Sequence, residues 1–247
     1  MNASKPLRVY FVIGEESGDA LGDDLLSQFE ALKQAVEPMG LGGTRLAARG
    51  MRSLFDISDL SVMGISGVAA RLPKLMMRVR ETVKDILARD PDVLILVDSP
   101  EFAFQVAKQV KKKKPALPVV KYVCPSVWAW RPGRARKLAR FLDRILAILP
   151  FEPDVMRKLG GPETIYVGHP LSGKIPKIAT ASRKSCNEPP LLVLLPGSRR
   201  SEVSRLLPFI ERTLMNFQAR GNPFTAVLPA VEPLADMIRE TVQNWPF

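Results

Sequence analysis

An α/β fold is what this 247-residue sequence predicts: parallel strands joined by crossover helices, followed by the beginning of a second unit of the same kind. Three observations predict it. Short runs rich in Val, Ile and Leu alternate with segments of helical periodicity, as in strands buried on both faces. Each run closes on Gly, Pro, Asp or Cys, where a strand gives way to a loop. The periodicity lapses once, in LSGKIPKIATASRKSCNEPP from about 171 to 190, and then restarts. That Ser-, Lys- and Pro-rich stretch reads as a linker.

The first strand is LRVYFVIG (7–14), a short apolar run that passes straight into EESGD rather than a small-residue cleavage site. It therefore reads as a strand and not as a signal peptide. A helix is expected from near Ser17, with Ser17 as its cap and acidic residues in its first turn. RLPKLMMRVRETVKDIL (71–87) sets apolar residues at 72, 75, 76, 79, 83, 86 and 87 against basic ones at 71, 74, 78, 80 and 84. This is a helix whose stripe packs on the sheet, while its first turn and the preceding SVMGISGVAA are assigned to membrane contact. DVLILVD (92–98) reads as a central, buried strand. The helix after it closes at KKKK (111–114) before Pro115, where cations complement the helix dipole and stay solvated. VVKYVC (119–124) and RILAILP (144–150) follow as strands.

Beyond the linker come a strand LLVLLPG (191–197), a helix over about 201–219, a strand PFTAVLPA (223–230) and a last helix ending near Asn244. The domain boundaries are thus 1–172, a linker at 173–190, and a partial second domain at 191–247. About 57 residues are too few for an independent doubly wound domain, so uncovered apolar surface is expected there.

Composition narrows the partners. A formal charge of +11, from 36 basic and 25 acidic residues, favours an anionic ligand or surface. Nucleic acid is disfavoured, because aromatics are few and the basic residues are spread over several helices without a recognised binding motif. Cys124 and Cys186 have neither a disulfide framework's number nor a zinc site's spacing, so no metal is called for and a reducing cytosol fits. No apolar run approaches the roughly 18 residues of a membrane-spanning helix.

In open α/β sheets ligands sit beyond the carboxyl ends of the strands, and the candidate residues cluster there. Asp98 stands at the mouth of its strand, where partial desolvation suits a general base for a hydroxyl; the alternative is a cap for the next helix, with Pro100 in the first turn. Glu15, Glu16 and Asp19 would repel a phosphate but suit hydrogen bonds to a neutral sugar, or else belong to an ordinary helix start capped by Ser17. Without G-x-G-x-x-G or G-K-[ST], a dinucleotide or phosphate loop is unsupported and no cofactor is implied. Gly197, Ser198 and Arg199 can turn the chain, cap a helix and reach an anion, or form a plain turn with surface arginines. His169 is given a structural or ligand-contact role. In YVCPSVWAWRPGR the extended loop would send Trp128 and Trp130 to opposite sides, one anchoring the core and one walling a cleft, with Arg131 and Arg134 near a phosphate or head group.

Taken in order, GEESGD (14–19), SVMG (61–64), DSPEF (98–102), YVCPSVWAWR (122–131), PFE (150–152), VGHPL (167–171) and LLPGSRRSE (194–202) closely resemble the lipid-A-disaccharide synthases. These are bacterial family 19 glycosyltransferases with two Rossmann-like domains of the GT-B type. The resemblance implies inverting, metal-independent transfer of 2,3-diacylglucosamine from its UDP derivative to 2,3-diacylglucosamine 1-phosphate. It makes Asp98 the base, and Glu15, Ser17, Asp19, Trp128, Trp130 and Arg131 acceptor-side residues. Gly197, Ser198, Arg199 and Glu202 fall in the donor or phosphate-binding half. It also implies a cytoplasmic protein, peripheral on an anionic inner membrane, with a homodimer possible in the full-length form. Another GT-B UDP-sugar transferase with a lipid-linked acceptor, or an inactive remnant, are the alternatives. Ala103 departs from the family's Asn, and Thr44 and Leu46 from its Pro and Met. The family's later Gly-rich stretch and ribose-binding glutamate lie beyond Phe247, so most of the nucleotide site is expected to be missing.

Overall fold

A computed structural model describes residues 5–61, 68–97, 99–172, 189–198, 200–231 and 234–246. The chain divides into two units, Met1–Pro176 and Lys177–Phe247. In chain order the first holds β1 (Leu7–Ile13), α1 (Glu16–Ala31), β2 (Val36–Leu41), α2 (Thr44–Ala48), α3 (Ser58–Ser61), α4 (Val68–Arg89) and β3 (Val93–Val97). It continues with α5 (Pro100–Lys113), β4 (Val119–Tyr122), α6 (Val127–Trp130), α7 (Arg134–Leu138), β5 (Arg144–Ala147), α8 (Glu152–Lys158) and β6 (Glu163–Tyr166).

All six strands pair in parallel, in the order β2-β1-β3-β4-β5-β6. Strand periodicity sends Tyr10, Val12, Leu94, Leu96, Val119 and Ile145 to one face, where they pack with Val79, Val83 and Ile86 of α4 and Val106 and Val110 of α5. Val9, Phe11, Ile13, Ile95 and Val97 face the other way, toward Leu26 of α1 and Leu46 of α2. Burial on both faces is why the central strands are continuous apolar runs.

The two strands that sequence reading misses are the two edges. VEPMGL (β2) contains Pro38, tolerable only where one side of the ladder is unused, and ETIY (β6) is largely exposed. Edge strands need no unbroken apolar run, so they lack the signal. Conversely, 119–124 and 144–150 overrun the strands they contain, because Cys124, Ile148 and Leu149 continue as loop. The lysine run departs from expectation too. Lys111 pairs with Asp143 and donates to the Pro115 carbonyl at 3.0 Å, and Lys114 pairs with Asp90, while Lys112 and Lys113 are exposed.

The second unit holds β7 (Leu191–Val193), α9 (Arg200–Ala219), β8 (Thr225–Val227) and α10 (Ala235–Val242), with β7 and β8 parallel. Val203, Leu207, Leu234 and Ile238 form its small core. Leu191, Val193 and Val227 share one sheet face and are 53%, 58% and 45% exposed, the uncovered apolar surface expected for so short a unit. Among the described residues, no helix is long and apolar enough to cross a membrane.

Tyr10 ties β1 to α4. It is fully buried, and its hydroxyl donates to Asp85 at 2.8 Å. Burial first, and then Asp85, push the phenol far above its ordinary value of 10.0. The folded state therefore keeps this proton after an unfolded tyrosine has lost it, so the contribution is complete below pH 10.0 and falls as pH rises beyond it. Tyr10→Phe should lower stability at neutral pH by about 1–3 kcal/mol and flatten the alkaline decline, as urea unfolding at stepped pH would measure.

Candidate functional site

Parallel pairing puts the carboxyl ends of β1, β3, β4 and β5 along one edge, with Ile13 beside Val97, Val97 beside Tyr122, and Tyr122 beside Leu146. Strand order reverses between β1, which leads outward to β2, and β3, which starts the other half. That switch point leaves a crevice in which ligands of open α/β sheets bind. Here the two loops nearly touch: a Cβ on Gly14 would lie 2.1 Å from Ser99 Oγ. Only a glycine fits. Ser99 itself is buried in the left-handed region (φ 40, ψ 57), and Pro100 opens α5 behind it. Asp98, the expected base, lies outside the described residues. Ala103, where the family's Asn is expected, donates its N–H to the Ser99 carbonyl at 2.9 Å, and its methyl is fully buried in the apolar core.

Helix α1 is capped two residues earlier than expected. Glu15, in extended backbone, is its cap residue and makes no side-chain capping bond, so Ser17 lies within the first turn and is exposed. Glu15 is half-buried beside it. Asp19 is fully buried: its carboxylate accepts the N–H groups of Gly43 at 2.7 Å, Arg45 at 2.7 Å and Leu46 at 3.4 Å. These are the orphan donors at the start of α2, and a Cβ on Gly43 would come within 2.8 Å of the Asp19 carboxylate. The carboxylate is thus engaged inside the fold, where it orders the loop that carries Glu15 and Ser17.

The tryptophan segment is not extended. Val123 takes φ 69, a strained value for a β-branched residue, costing about 1–3 kcal/mol. The chain then turns into α6, a single helical turn. Trp128 and Trp130 still diverge, because two helical residues differ by about 200°. Trp128 stacks edge-on against Phe151 at 5.0 Å and donates its indole N–H to Glu152 at 3.4 Å. Trp130 is 64% exposed, with the Arg131 guanidinium 4.2 Å over its ring. Exposed Arg136, Lys137 and Arg140 follow on and beyond α7. Cys124 is buried, and burial followed by the nearby Glu152 carboxylate pushes its thiol up to about 12, so it is an inert thiol. His169 is exposed, accepting the Leu171 N–H at Nδ1 within its own turn.

In the second unit Gly197 has φ 108, which glycine alone adopts without strain. Ser198 donates its N–H to Glu202 at 3.3 Å, so the glutamate folds back on the start of α9 as a capping residue does. Arg199 lies outside the described residues. Among the described residues, no three His, Cys, Asp or Glu side chains converge as metal ligands would.

A sequence profile of the lipid-A-disaccharide synthetases matches residues 9–245. The chain belongs to this family. It is 45% identical over 244 residues to the lipid-A-disaccharide synthase of Rhodopseudomonas palustris (strain HaA2), covering 97% of this chain and 62% of that protein. Over 251 residues it is 41% identical to the synthase of Bradyrhizobium diazoefficiens, covering 100% of this chain and 64% of that one. Among solved structures it resembles the UDP co-structure of Staphylococcus aureus MnaA, with TM-score 0.62 and 11% identity, covering 97% of this chain and 66% of that one. Acinetobacter baumannii MurG gives TM-score 0.52 and 12% identity, with coverages of 98% and 65%. At such identities the likeness speaks for the fold alone, an α/β fold of the GT-B type.

Glu152 is the residue on this edge to which sequence reasoning gave no role. In sequence it ends the PFE motif and stands before Pro153 at a helix start, where an acid reads as a dipole partner. Asp19 offers the sharper test of the loop that holds the site. Asp19→Ala removes the one acceptor shared by three backbone amides, so it should destabilise the first unit by about 1–3 kcal/mol, measured by chemical denaturation.

Proposed function

We propose that the full-length protein is a lipid-A-disaccharide synthase, making lipid A disaccharide 1-phosphate and UDP. The donor is UDP-2,3-diacylglucosamine and the acceptor 2,3-diacylglucosamine 1-phosphate. The observation that carries this reading is the 45% identity to a synthase along 97% of the chain. Residues 1–172 form the acceptor-side domain, 173–190 a linker, and 191–247 the start of the donor-binding domain. Asp98, next in sequence to Ser99, takes the proton of the acceptor hydroxyl as it attacks the anomeric carbon. Inversion needs no second carboxylate as nucleophile. Glu15 and Ser17 hold the acceptor sugar, with Asp19 fixing their loop. Trp130 and Arg131 wall the acceptor cleft on a turn that Trp128 anchors, and Gly197, Ser198, Arg199 and Glu202 form the beginning of the donor phosphate site.

The exposed Trp130 and its basic neighbours also suit the head groups of an anionic bilayer, so the protein sits on the cytoplasmic face of the inner membrane as a peripheral protein. In the full-length protein Asp98→Ala should cut kcat by about 10²–10⁴ while acceptor binding persists. Unchanged turnover would remove Asp98 as the base, and equal use of acceptors without acyl chains would point to a different lipid-linked transferase. Replacing Trp130 and Arg131 by Ala should weaken sedimentation with anionic but not neutral vesicles, an effect that disappears in high salt.

A further inference from the structure

A carboxylate that is 2% exposed needs a reason to be there, and Glu152 has three. Its Oε2 accepts the Leu149 N–H at 3.1 Å and its Oε1 accepts the Trp128 indole N–H at 3.4 Å. The Cys124 thiol lies close enough to be pushed upward by the same carboxylate. Glu152 and Phe151 come from the start of α8, at the carboxyl end of β5, whereas Cys124 and Trp128 come from the loop after β4. Two consecutive residues of one loop therefore clasp the indole of the next, one by hydrogen bond and the other by an edge-on ring contact at 5.0 Å.

Val127 anchors the clasped element in the core, but its helix is short. Helix α6 is one turn long, its cap residue Ser126 makes no side-chain bond, and it leaves β4 through the strained Val123. A strained exit persists only where its surroundings over-determine it. Turning Trp128 inward also sets which way the turn presents Trp130 and Arg131.

We infer that Glu152 is a positioning residue, which fixes the tryptophan turn through the Trp128 indole and so shapes the acceptor side of the site. It does not touch substrate. The inference rests on the reading of that turn as an acceptor-cleft wall, and its test has one arm that needs no substrate. In ¹⁵N spectra of this chain, with Trp128→Phe identifying the signal, the Trp128 indole proton should exchange slowly with solvent. Glu152→Gln keeps an acceptor and should preserve that protection, whereas Glu152→Leu should lose it by about tenfold or more.

In the full-length protein Glu152→Leu should raise KM for the acceptor by about tenfold with much smaller changes in kcat and in KM for the donor, and Glu152→Gln should restore most of it. Trp128→Phe should reproduce the defect, and the double variant should be no worse than either single one. If Glu152→Leu fails to fold, Trp128→Phe breaks the same bond from the other side and must show the same selective rise in acceptor KM. Unchanged indole exchange in Glu152→Leu, or penalties that simply add, would overturn the inference. An indole effect without an acceptor effect would leave the clasp standing and count instead against the turn as acceptor wall.

Discussion

The first unit is organised around the buried carboxylate of Asp19. Three backbone N–H groups at the start of α2 have no partner within their own helix, and Asp19 of α1 supplies one from outside. This bond set joins the element after β1 to the element after β2, and Gly43 leaves room for it. Leu46, brought in by the same contact, fills the core between α1 and the sheet. The loop from Gly14 to Ser17 is then anchored at both ends, by β1 on one side and by Asp19 on the other. A carboxylate in this setting is held by charge-assisted bonds and is correspondingly hard to replace.

Backbone strain collects along the same edge. Ser99 and Val123 are non-glycine residues with positive φ, immediately after β3 and β4. Among the described residues the other two of this kind, Lys33 and Asp90, lie just beyond helix ends, where a left-handed residue is a common way to stop. Helix termination does not account for Ser99 or Val123. Each bends a central strand's exit toward its neighbour: Ser99 against Gly14, and Val123 into the clasp of Trp128 by Phe151 and Glu152. Strained exits of this kind belong to sites whose geometry matters more than local comfort.

Charge is distributed by a different rule. Several basic residues are consumed in ion pairs that hold elements together, as Arg78 and Lys74 do with Asp59, and Arg49 with Asp23 and Glu30. Arg78 also lies 4.3 Å over the Phe55 ring. Partly exposed pairs of this sort contribute little each to stability, but they set the orientation of α3 against α4. The exposed Arg131, Arg136, Lys137 and Arg140 instead keep their charge at the surface, beside the exposed indole of Trp130. These four cations give that part of the first unit a locally positive surface, beside other exposed basic residues such as Lys112, Lys113, Arg157 and Lys158.

By itself the sequence determined the four central strands, the long helices and the order of motifs along the carboxyl edge, because burial on both faces leaves continuous apolar runs and motif order survives any packing detail. The edge strands β2 and β6 stayed hidden, since one solvated side removes the need for such a run. Residue chemistry was legible only as type. Asp19 reads as an acid in a first turn, and only packing shows that three amides from 24 to 27 residues away have claimed it. Trp128 and Trp130 are indistinguishable in sequence, and a helical turn rather than an extended loop set one half-buried against Phe151 and Glu152 and the other in solvent. Glu152 ends the PFE motif, but that motif does not tell what the carboxylate binds. Its partners lie 3, 24 and 28 residues away in the chain, and only the alignment of β4 with β5 brings them together. Tertiary structure decided these points because hydrogen bonds form between neighbours in space, and the parallel sheet sets which residues become neighbours.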